Sequence, residues 1–364
     1  MDKENEKISD KCDEWDIAKV FEGYNSIEEI IKKEKRLLLK VKLKPILGDR
    51  FQPTSFPDIG AAYYESGETK MLIVESTQSI ANILECTFWD KDKKSAIDQL
   101  KGIPYIEVDS EDGKFLTSSI LEAHRLASPY VLNSKNTEGK LLKDIIWDGF
   151  QKKLEIVDQN KLVDILSQYD FNSLLHGVFF ADSQISGGRY HLQRALTGFV
   201  EAENIKEAIS GGVKKDILNP KGELEDTSED SNKEDTTKNK QSATGRANVI
   251  YPRTEYTGDI NAYFNLDIEQ IKNYNLDYNE KKLLFLLSLF KIKKVLESKL
   301  KFRSACDLKY ESIESVEPGI KLNSPNLPDE ELLLNCMRSL IGDIKKWEGY
   351  SPLKLTYGSK NEKK

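Results

Sequence analysis

One stretch near the N-terminus alternates strictly between apolar residues and lysines. Successive side chains of a β-strand point to opposite sides, so this period of two predicts a strand with one buried and one solvated face. The alternating residues are Leu39, Val41 and Leu43 on the apolar side, and Lys40, Lys42 and Lys44 on the polar side. We therefore expect a strand that presents a row of lysines.

Elsewhere the hydrophobic pattern predicts helices interspersed with strands. Helices are expected at 13–33, directly after a short strand at 71–74, at 118–126, twice within 140–169, and at 280–300. Further strands are expected at 172–181, 195–202, 260–267 and 302–312. This order favours an α+β fold of the split βαβ type with large helical and loop insertions.

The length of 364 residues suits one elaborated domain or two lobes, and we interpret 1–364 as a single domain. Its core is expected in an N-terminal part, 34–210, and a C-terminal part, 247–350, followed by a tail at 351–364. Between the two parts, residues 219–246 contain hardly any apolar side chains. Such a composition cannot build a core and predicts a disordered acidic insertion.

The formal net charge of −7 argues against a protein that coats nucleic acid by bulk electrostatics. Part of the deficit lies in Lys221 to Lys240, which holds seven acidic and four basic residues. The longest apolar run, Leu283 to Phe290, is far shorter than the roughly 18 residues of a membrane span. No signal-peptide pattern begins the sequence, so we expect a cytoplasmic protein without membrane contact.

The four cysteines lie far apart and form no CxxC pair, which argues against a zinc site and a disulfide framework. We expect free, mostly buried thiols, and neither a metal nor a cofactor.

Several segments, taken together and in order, resemble one protein family. They include GDRFQPTSFPDIGAA from Gly48, VESTQSIANILE from Val74, SSILEAHRLASPY from Ser118, YDFNSLLHGVFFA from Tyr169, RALTGFVEA from Arg194, SGGVKKD from Ser210, RTEYTGDINAYFNLD from Arg253 and FRSACDL from Phe302. The family is the RAMP-superfamily backbone subunit of type I CRISPR surveillance complexes (Cascade), in the type I-U or I-G variant.

The resemblance implies a modified ferredoxin-like, RRM-like fold shaped like a hand, with copies stacked helically along the CRISPR RNA spacer. It implies a structural role in antiviral defence rather than an enzymatic one. The implied partners are CRISPR RNA, target DNA paired through the guide, other copies of the chain, a fused handle-binding and RNA-processing subunit, a large subunit, and a recruited nuclease-helicase. Such subunits also wedge a finger-like hairpin between nucleotides, which no segment of the sequence identifies.

The lysine row is the first candidate RNA contact. Side chains two residues apart on one strand face are separated by about 6.6 Å, a spacing that suits successive phosphates. Lysine binds phosphate as a point charge, without base selectivity. The competing interpretation is a solvated face or a protected sheet edge, and the alternation alone favours it.

In the loop that follows, Arg50, Phe51 and Gln52 supply a cation, a ring and an amide. Such a set can pair with phosphate, stack on a base and bond a sugar hydroxyl. Alternatively, the loop is stiffened by proline, and Phe51 and Phe56 merely cap the core. We expect Arg50 and Gln52 to contact RNA more than the aromatic ring.

Other polar and basic residues are weaker candidates. A neutral face on the helix after residue 74 could bond RNA or could be a capping serine with a solvated stripe. A cation pair ends the next helix, where the alternative role is an interaction with the helix dipole. For basic residues near strand ends the alternative is a surface salt bridge, and for those near glycines it is a plain turn. The residues are Ser76, Gln78, Ser79, Asn82, His124, Arg125, Arg189, Arg194, Lys214, Lys215, Arg253 and Arg303.

Catalysis has little support in the sequence. The three histidines, His124, His176 and His191, form no recognisable catalytic motif, and we interpret His176 as a core residue. No enzyme activity is expected. The competing functions are an RNA-cleaving RAMP endoribonuclease and a general single-stranded RNA-binding protein.

Overall fold

The computed structural model describes residues 14–56, 59–149, 159–181, 190–215 and 248–358. The helices are α1 Glu14–Ala18, α2 Ile27–Lys33, α3 Thr77–Glu85, α4 Pro129–Leu132, α5 Leu142–Gly149, α6 Gln159–Tyr169, α7 Ser173–His176, α8 Ile268–Asn273, α9 Tyr278–Ser298 and α10 Glu330–Asp343. No helix within these residues has the length and apolar character needed to cross a membrane.

Most strands belong to one large antiparallel sheet, and the others form small ones. They are β1 Arg36–Pro45, β2 Ser55–Phe56, β3 Gly60–Ala61, β4 Tyr63–Ser66, β5 Thr69–Glu75, β6 Trp89–Asp90, β7 Ser95–Ala96, β8 Ile106–Ser110, β9 Phe115–Ser118, β10 Val178–Phe179, β11 His191–Leu192, β12 Leu196–Lys215, β13 Asn248–Asp267, β14 Lys301–Arg303, β15 Cys306–Ser315 and β16 Leu353–Tyr357.

The large sheet has the order β14-β15-β1-β13-β12-β5-β4. Its four central strands follow one another along the chain as β1, β12, β13 and β15, with α3 after the first and α9 after the third. In space they therefore lie in the order last, first, third, second. This is the topology of the ferredoxin-like split βαβ unit, so the predicted α+β fold is confirmed.

Within the described residues, helices cover one face of this sheet. On β1 the residues Leu37, Leu39, Val41 and Leu43 are buried, and α9 packs against β15, α3 and α10. An aspartate-glutamate capping box formed by Asp277 and Glu280 begins α9. The opposite face of the sheet, here called the open face, carries the lysines of β1.

Strands β12 and β13 continue past the sheet as a two-stranded ribbon. Strand β5 pairs with β12 at residues 200–202 and β1 pairs with β13 at 260–267, whereas β12 and β13 pair with each other as far as Lys215 and Asn248. The register shifts between Glu203 and Lys206, which marks a bulge where the ribbon leaves the sheet.

Gly258 lies opposite this bulge and has a φ of +157°. A β-carbon at this position would lie 2.6 Å from the Glu203 carbonyl oxygen. Glycine is therefore required for the close approach of the two backbones at the base of the ribbon.

Several predicted elements are correct in kind, including the lysine strand, the helix after residue 74, the two helices within 140–169 and the long helix near 280–300. The strands predicted at 195–202 and 260–267 are the inner parts of β12 and β13. The glycine turn that is the alternative to phosphate contact by Lys214 and Lys215 is wrong, because Gly211 and Gly212 lie within β12.

Other predictions need correction. The helix expected at 13–33 is two helices separated at Gly23, whose φ of +83° is incompatible with a continuous helix. The strand expected at 172–181 is the short helix α7 followed by β10, and the strand at 302–312 is the hairpin of β14 and β15. The predicted acidic insertion at 219–246 lies outside the described residues.

The helix predicted at 118–126 is also wrong. Strand β9 ends at Ser118, and turns lead to a single 3-10 turn over Arg125–Ala127. The Glu122 carboxylate accepts hydrogen bonds from the Thr117 hydroxyl at 2.6 Å and from the Ser128 hydroxyl at 2.6 Å. These bonds hold the segment as a folded turn instead of a helix.

The thiol prediction is partly wrong. Cys306 is free and buried, and Cys86 is free but exposed. Cys336, which we expected to be a free thiol, is disulfide-bonded.

Candidate nucleic-acid interface

The described residues enclose an open cavity of about 1020 Å³. It lies where α3, the turn at 122–126, the α7-β10 segment and the start of β12 meet. Five predicted contact residues line it: Gln78, Asn82, His124, Arg125 and Arg194. The structure therefore brings together residues that are more than 100 positions apart in the sequence.

All three histidines of the chain, His124, His176 and His191, also line this cavity, which we call the histidine cavity. His124 and His191 are exposed, whereas His176 is fully buried. The exposed ring of Phe179 lies at the same surface. The interpretation of His176 as a core residue is confirmed. Sequence reasoning missed His191 and Phe179 as site residues, because no local pattern distinguishes them from other loop residues.

Helix α3 forms one wall of the histidine cavity. Ser76 caps the helix, since its hydroxyl accepts the Ser79 backbone N–H at 3.2 Å. Ile80 and Leu84 are buried, so Gln78 and Asn82, four residues apart, point outward. The structure thus places Ser76 and Ser79 in the helix cap, and only Gln78 and Asn82 in the cavity wall.

A chain of polar groups crosses this wall. The Arg194 guanidinium donates to Gln78 Oε1 at 2.5 Å, and Gln78 Nε2 donates to Asn82 Oδ1 at 3.0 Å. Burial, and then the nearby Arg125 charge, lower the pKa of Arg194. The half-buried guanidinium therefore points into the cavity already positioned by neutral amides, an arrangement suited to an anionic ligand.

Arg125 has a different role from the one that its sequence position suggested. Its side chain is buried, and its Nε donates to Glu85 Oε1 at 2.7 Å while its Nη1 donates to the Gly177 carbonyl at 3.2 Å. The backbone φ of Arg125 is +54°. The guanidinium thus forms the floor of the cavity and ties the 122–126 turn to α3.

Gly177 is fixed by this close packing. Its φ is +75°, and a β-carbon there would lie 2.6 Å from the Leu192 carbonyl oxygen. Only glycine lets β11 approach closely enough while its own carbonyl faces Arg125.

Three further ionisable groups lie beneath the floor. Burial lowers the pKa of Lys291 to about 7, against the opposing effect of Glu85. Burial raises the pKa of Asp170 to about 6. Burial, reinforced by Lys291 and Arg125, lowers the pKa of His176 well below its ordinary value, so this imidazole stays neutral.

Some polar atoms of the cavity floor have no hydrogen-bond partner among the described residues. Neither ring nitrogen of His176 has a hydrogen-bond partner among them, and its Nδ1 lies 3.6 Å from Glu85 Oε1. Burial also raises the pKa of Glu85, although Arg125 and Lys291 oppose the shift. Arg125 and Arg194 line the cavity, and no carboxylate is among its described lining residues, which favours an anion in the cavity.

The lysine row lies on the open face, as predicted. Lys40 Nζ is 3.8 Å from the Glu314 carboxylate and Lys44 pairs with Glu311, whereas Lys42 lies opposite the uncharged residues Asn261 and Ser312. On binding RNA, two of the three lysines would therefore exchange a carboxylate partner for a phosphate.

A second basic cluster surrounds the base of the ribbon. Arg50 pairs with Glu255 at 3.0 Å. Arg303 donates to the Gln52 carbonyl at 3.1 Å and pairs with Glu75. Phe51 is fully buried, which confirms the core-capping interpretation of that ring, whereas Phe56 is exposed and does not cap the core.

The remaining predicted contacts are only partly placed. Arg189 lies outside the described residues. Lys214 and Lys215 lie in β12 and Arg253 lies in β13, but their side chains are outside the described part. Across the described ranges, no cluster of three or more histidine, cysteine or acidic residues could hold a metal ion.

Comparison with known proteins supports one family. Residues 37–207 match the model of the family described as CRISPR-associated protein GSU0053, so the resemblance to a CRISPR-associated family is confirmed. No curated protein sequence matches the chain.

Two solved structures show weak similarity. One is a chain of a "CRISPR RNA-guided surveillance complex, pre-nicking", with 10% identity, a TM-score of 0.39 and 77% coverage of each chain. The other is Thermofilum pendens Csc2, with 9% identity, a TM-score of 0.29, and coverage of 90% of this chain and 81% of that one. At such TM-scores neither similarity carries an argument about function.

The buried lysine predicts a pH dependence of stability. Between pH 7 and about 10 the unfolded chain holds a proton on Lys291 that the folded chain has released, so this residue makes the free energy of unfolding rise with pH. We expect the wild-type protein to gain stability relative to the Lys291→Met variant across this range, measured by urea unfolding.

The control is Lys299→Met, an exposed lysine at the end of the same helix, for which we expect parallel pH profiles. A wild-type profile that also runs parallel to that of Lys291→Met would contradict the assigned shift.

Proposed function

We propose that the chain, whose residues 37–207 match the model of the CRISPR-associated GSU0053 family, is a guide-RNA-binding backbone subunit of a surveillance complex. The sequence resemblance supports a type I complex of the I-U or I-G variant. In this proposal several copies line up along one CRISPR RNA and present its spacer for pairing with target DNA.

The observation that carries the proposal is the convergence in the histidine cavity. Gln78 and Asn82 come from α3, His124 from a turn, and Arg194 from the start of β12. The sequence predicts each of these residues as a candidate RNA contact. Their assembly around one surface with excess positive charge supports RNA binding better than scattered surface cations would.

The chemistry of the cavity suits contacts to the RNA backbone. An arginine pairs with phosphate, and amides bond sugar hydroxyls or phosphate oxygens, without reading base identity. A guide carrier must accept any spacer sequence and leave the base edges free, because base pairing supplies the specificity.

The ribbon of β12 and β13 is the candidate for the wedge implied by the resemblance. It projects beyond the sheet, and its base adjoins Arg50 and Arg303. In the proposed assembly it separates neighbouring nucleotides along the guide.

The proposed partners follow the same resemblance. They are CRISPR RNA, target DNA through the guide, other copies of the chain, a fused handle-binding and RNA-processing subunit, a large subunit and a recruited nuclease-helicase. We propose a cytoplasmic location and no enzymatic activity.

Removing the central cation of the cavity tests the proposal. We expect Arg194→Gln to weaken binding of a labelled single-stranded RNA by at least about tenfold, because lost charge-assisted hydrogen bonds are worth about 1.5–3 kcal/mol. Affinity is measured by fluorescence anisotropy with two unrelated spacer sequences, and both should lose equally.

The matched control is Arg338→Gln, an exposed arginine on α10, which packs on the helical side. It should bind RNA like the wild type. Equal affinity of Arg194→Gln and Arg338→Gln would remove the cavity from the RNA interface.

The lysine row is tested by its salt dependence. If all three lysines neutralise phosphates of one strand, changing Lys40, Lys42 and Lys44 to alanine should lower the slope of log affinity against log salt by about 2, since each contact contributes about 0.7. The stability loss should be small, because the side chains lie on the solvated face and surface ion pairs contribute little.

A triple alanine variant of Lys91, Lys93 and Lys94, on the turn between β6 and β7, removes the same charge elsewhere and serves as the control. An unchanged salt slope in the lysine-row variant, matching this control, would mean that the row is only a solvated face.

One observation favours RNA cleavage as a second candidate function. The only three histidines of the chain line one cavity with two arginines, and paired imidazoles can act as general base and acid. Under the backbone proposal, labelled RNA incubated with the protein and EDTA stays intact on a denaturing gel. Cleavage that disappears in His124→Ala or His191→Ala would favour the endoribonuclease instead.

A further inference from the structure

The open face of the sheet contains a small apolar pocket next to the lysine row. Its volume is about 210 Å³, several times that of one water molecule. The side chains that reach it from the open face include Leu38 on β1, Phe199 on β12 and Tyr263 on β13, with Val316 at the rim. We call it the sheet-face pocket.

Two aromatic rings form one wall of the sheet-face pocket. Phe199 and Tyr263 are directly opposite each other across the β12-β13 ladder. Their ring centroids are 5.1 Å apart and their planes differ by 23°. Both side chains are only half-buried, so the pair leaves aromatic surface available to a third planar group.

Cations lie on the β1 side of the pocket. Arg36 Nη1 donates to Asn265 Oδ1 at 3.2 Å, and its Nη2 is 2.9 Å from Asp267. Lys40 is directly opposite Tyr263. An apolar, aromatic cleft beside positive side chains matches a nucleobase that stays attached to its phosphates.

The sheet-face pocket adjoins the histidine cavity. Thr197 lines both, and Arg194 lies three residues earlier in the chain. At about 3.3 Å per residue, Thr197 and Phe199 are separated by about 7 Å along β12, which is close to the spacing of neighbouring nucleotides in an extended strand.

From these observations we propose that the sheet-face pocket holds one unpaired nucleobase of the RNA strand whose sugar-phosphate backbone occupies the histidine cavity. This inference rests on the proposed function and adds to it a stacking site for a base. The lining is mostly apolar, so stacking is sequence-tolerant and any of the four bases is accepted.

The test uses an RNA oligonucleotide and an otherwise identical oligonucleotide without bases. Replacing Phe199 and Tyr263 together by leucine keeps apolar bulk but removes both rings. We expect about tenfold weaker binding of the intact RNA and unchanged binding of the abasic one. A 2-aminopurine in the intact RNA should be quenched by the wild type but not by the double variant.

Two further variants keep the test informative. The exchanged pair Phe199→Tyr with Tyr263→Phe retains both rings and should bind like the wild type. Leucine at Tyr130 and Tyr357 removes another aromatic pair, with centroids 5.1 Å apart on α4 and β16, and should leave affinity unchanged. Thermal unfolding of each variant shows that it is folded.

Equal loss for intact and abasic RNA, or no loss at all, would overturn the inference. In either case, a continued dependence of RNA binding on Arg194 would leave the proposed function standing. Loss of self-association with intact RNA affinity would instead identify a second copy of the chain as the occupant, and would likewise refute a base site. Absence of RNA binding by the wild type would remove the proposed function itself.

Discussion

The two-sidedness of the central strand β1 determines much of the rest of the structure. It lies between β15 and β13, so any one-residue slip in register would move its leucines to solvent and its lysines into the core. Burying Leu39 and Val41 against the helices fixes which face of the sheet stays open. The lysine row, the aromatic pair and the sheet-face pocket all lie on that face, and the histidine cavity adjoins it through Thr197.

Features encoded by short-range patterns could be predicted from the sequence. The alternation that predicts β1 is visible within ten residues, and the apolar spacing that predicts α3 within nine. The helix expected at 118–126 failed because hydroxyl groups of Thr117 and Ser128 bond Glu122, and because Arg125 takes a left-handed conformation to reach Glu85. Tertiary contacts there override a helical pattern that was locally reasonable.

The candidate site was predictable in part for the same reason. Gln78 and Asn82 could be selected because their helix face is visible in the sequence, whereas the buried floor depends on contacts over long sequence separations. Arg125 and Glu85 are 40 positions apart, and Lys291 bonds the Leu84 carbonyl across 207 positions. Sequence spacing cannot reveal that these charges share one low-dielectric site.

The bulge at the base of the ribbon has a mechanical consequence. Beyond it, the ten residues of β12 from Lys206 to Lys215 pair with β13, so the arm extends about 33 Å at 3.3 Å per residue. A rotation of about 20° at Asn204 and Gly258 would displace its tip by about 11 Å, using the same rise. The backbone angles of Asn204 and Gly258 therefore determine the direction in which the ribbon projects from the sheet.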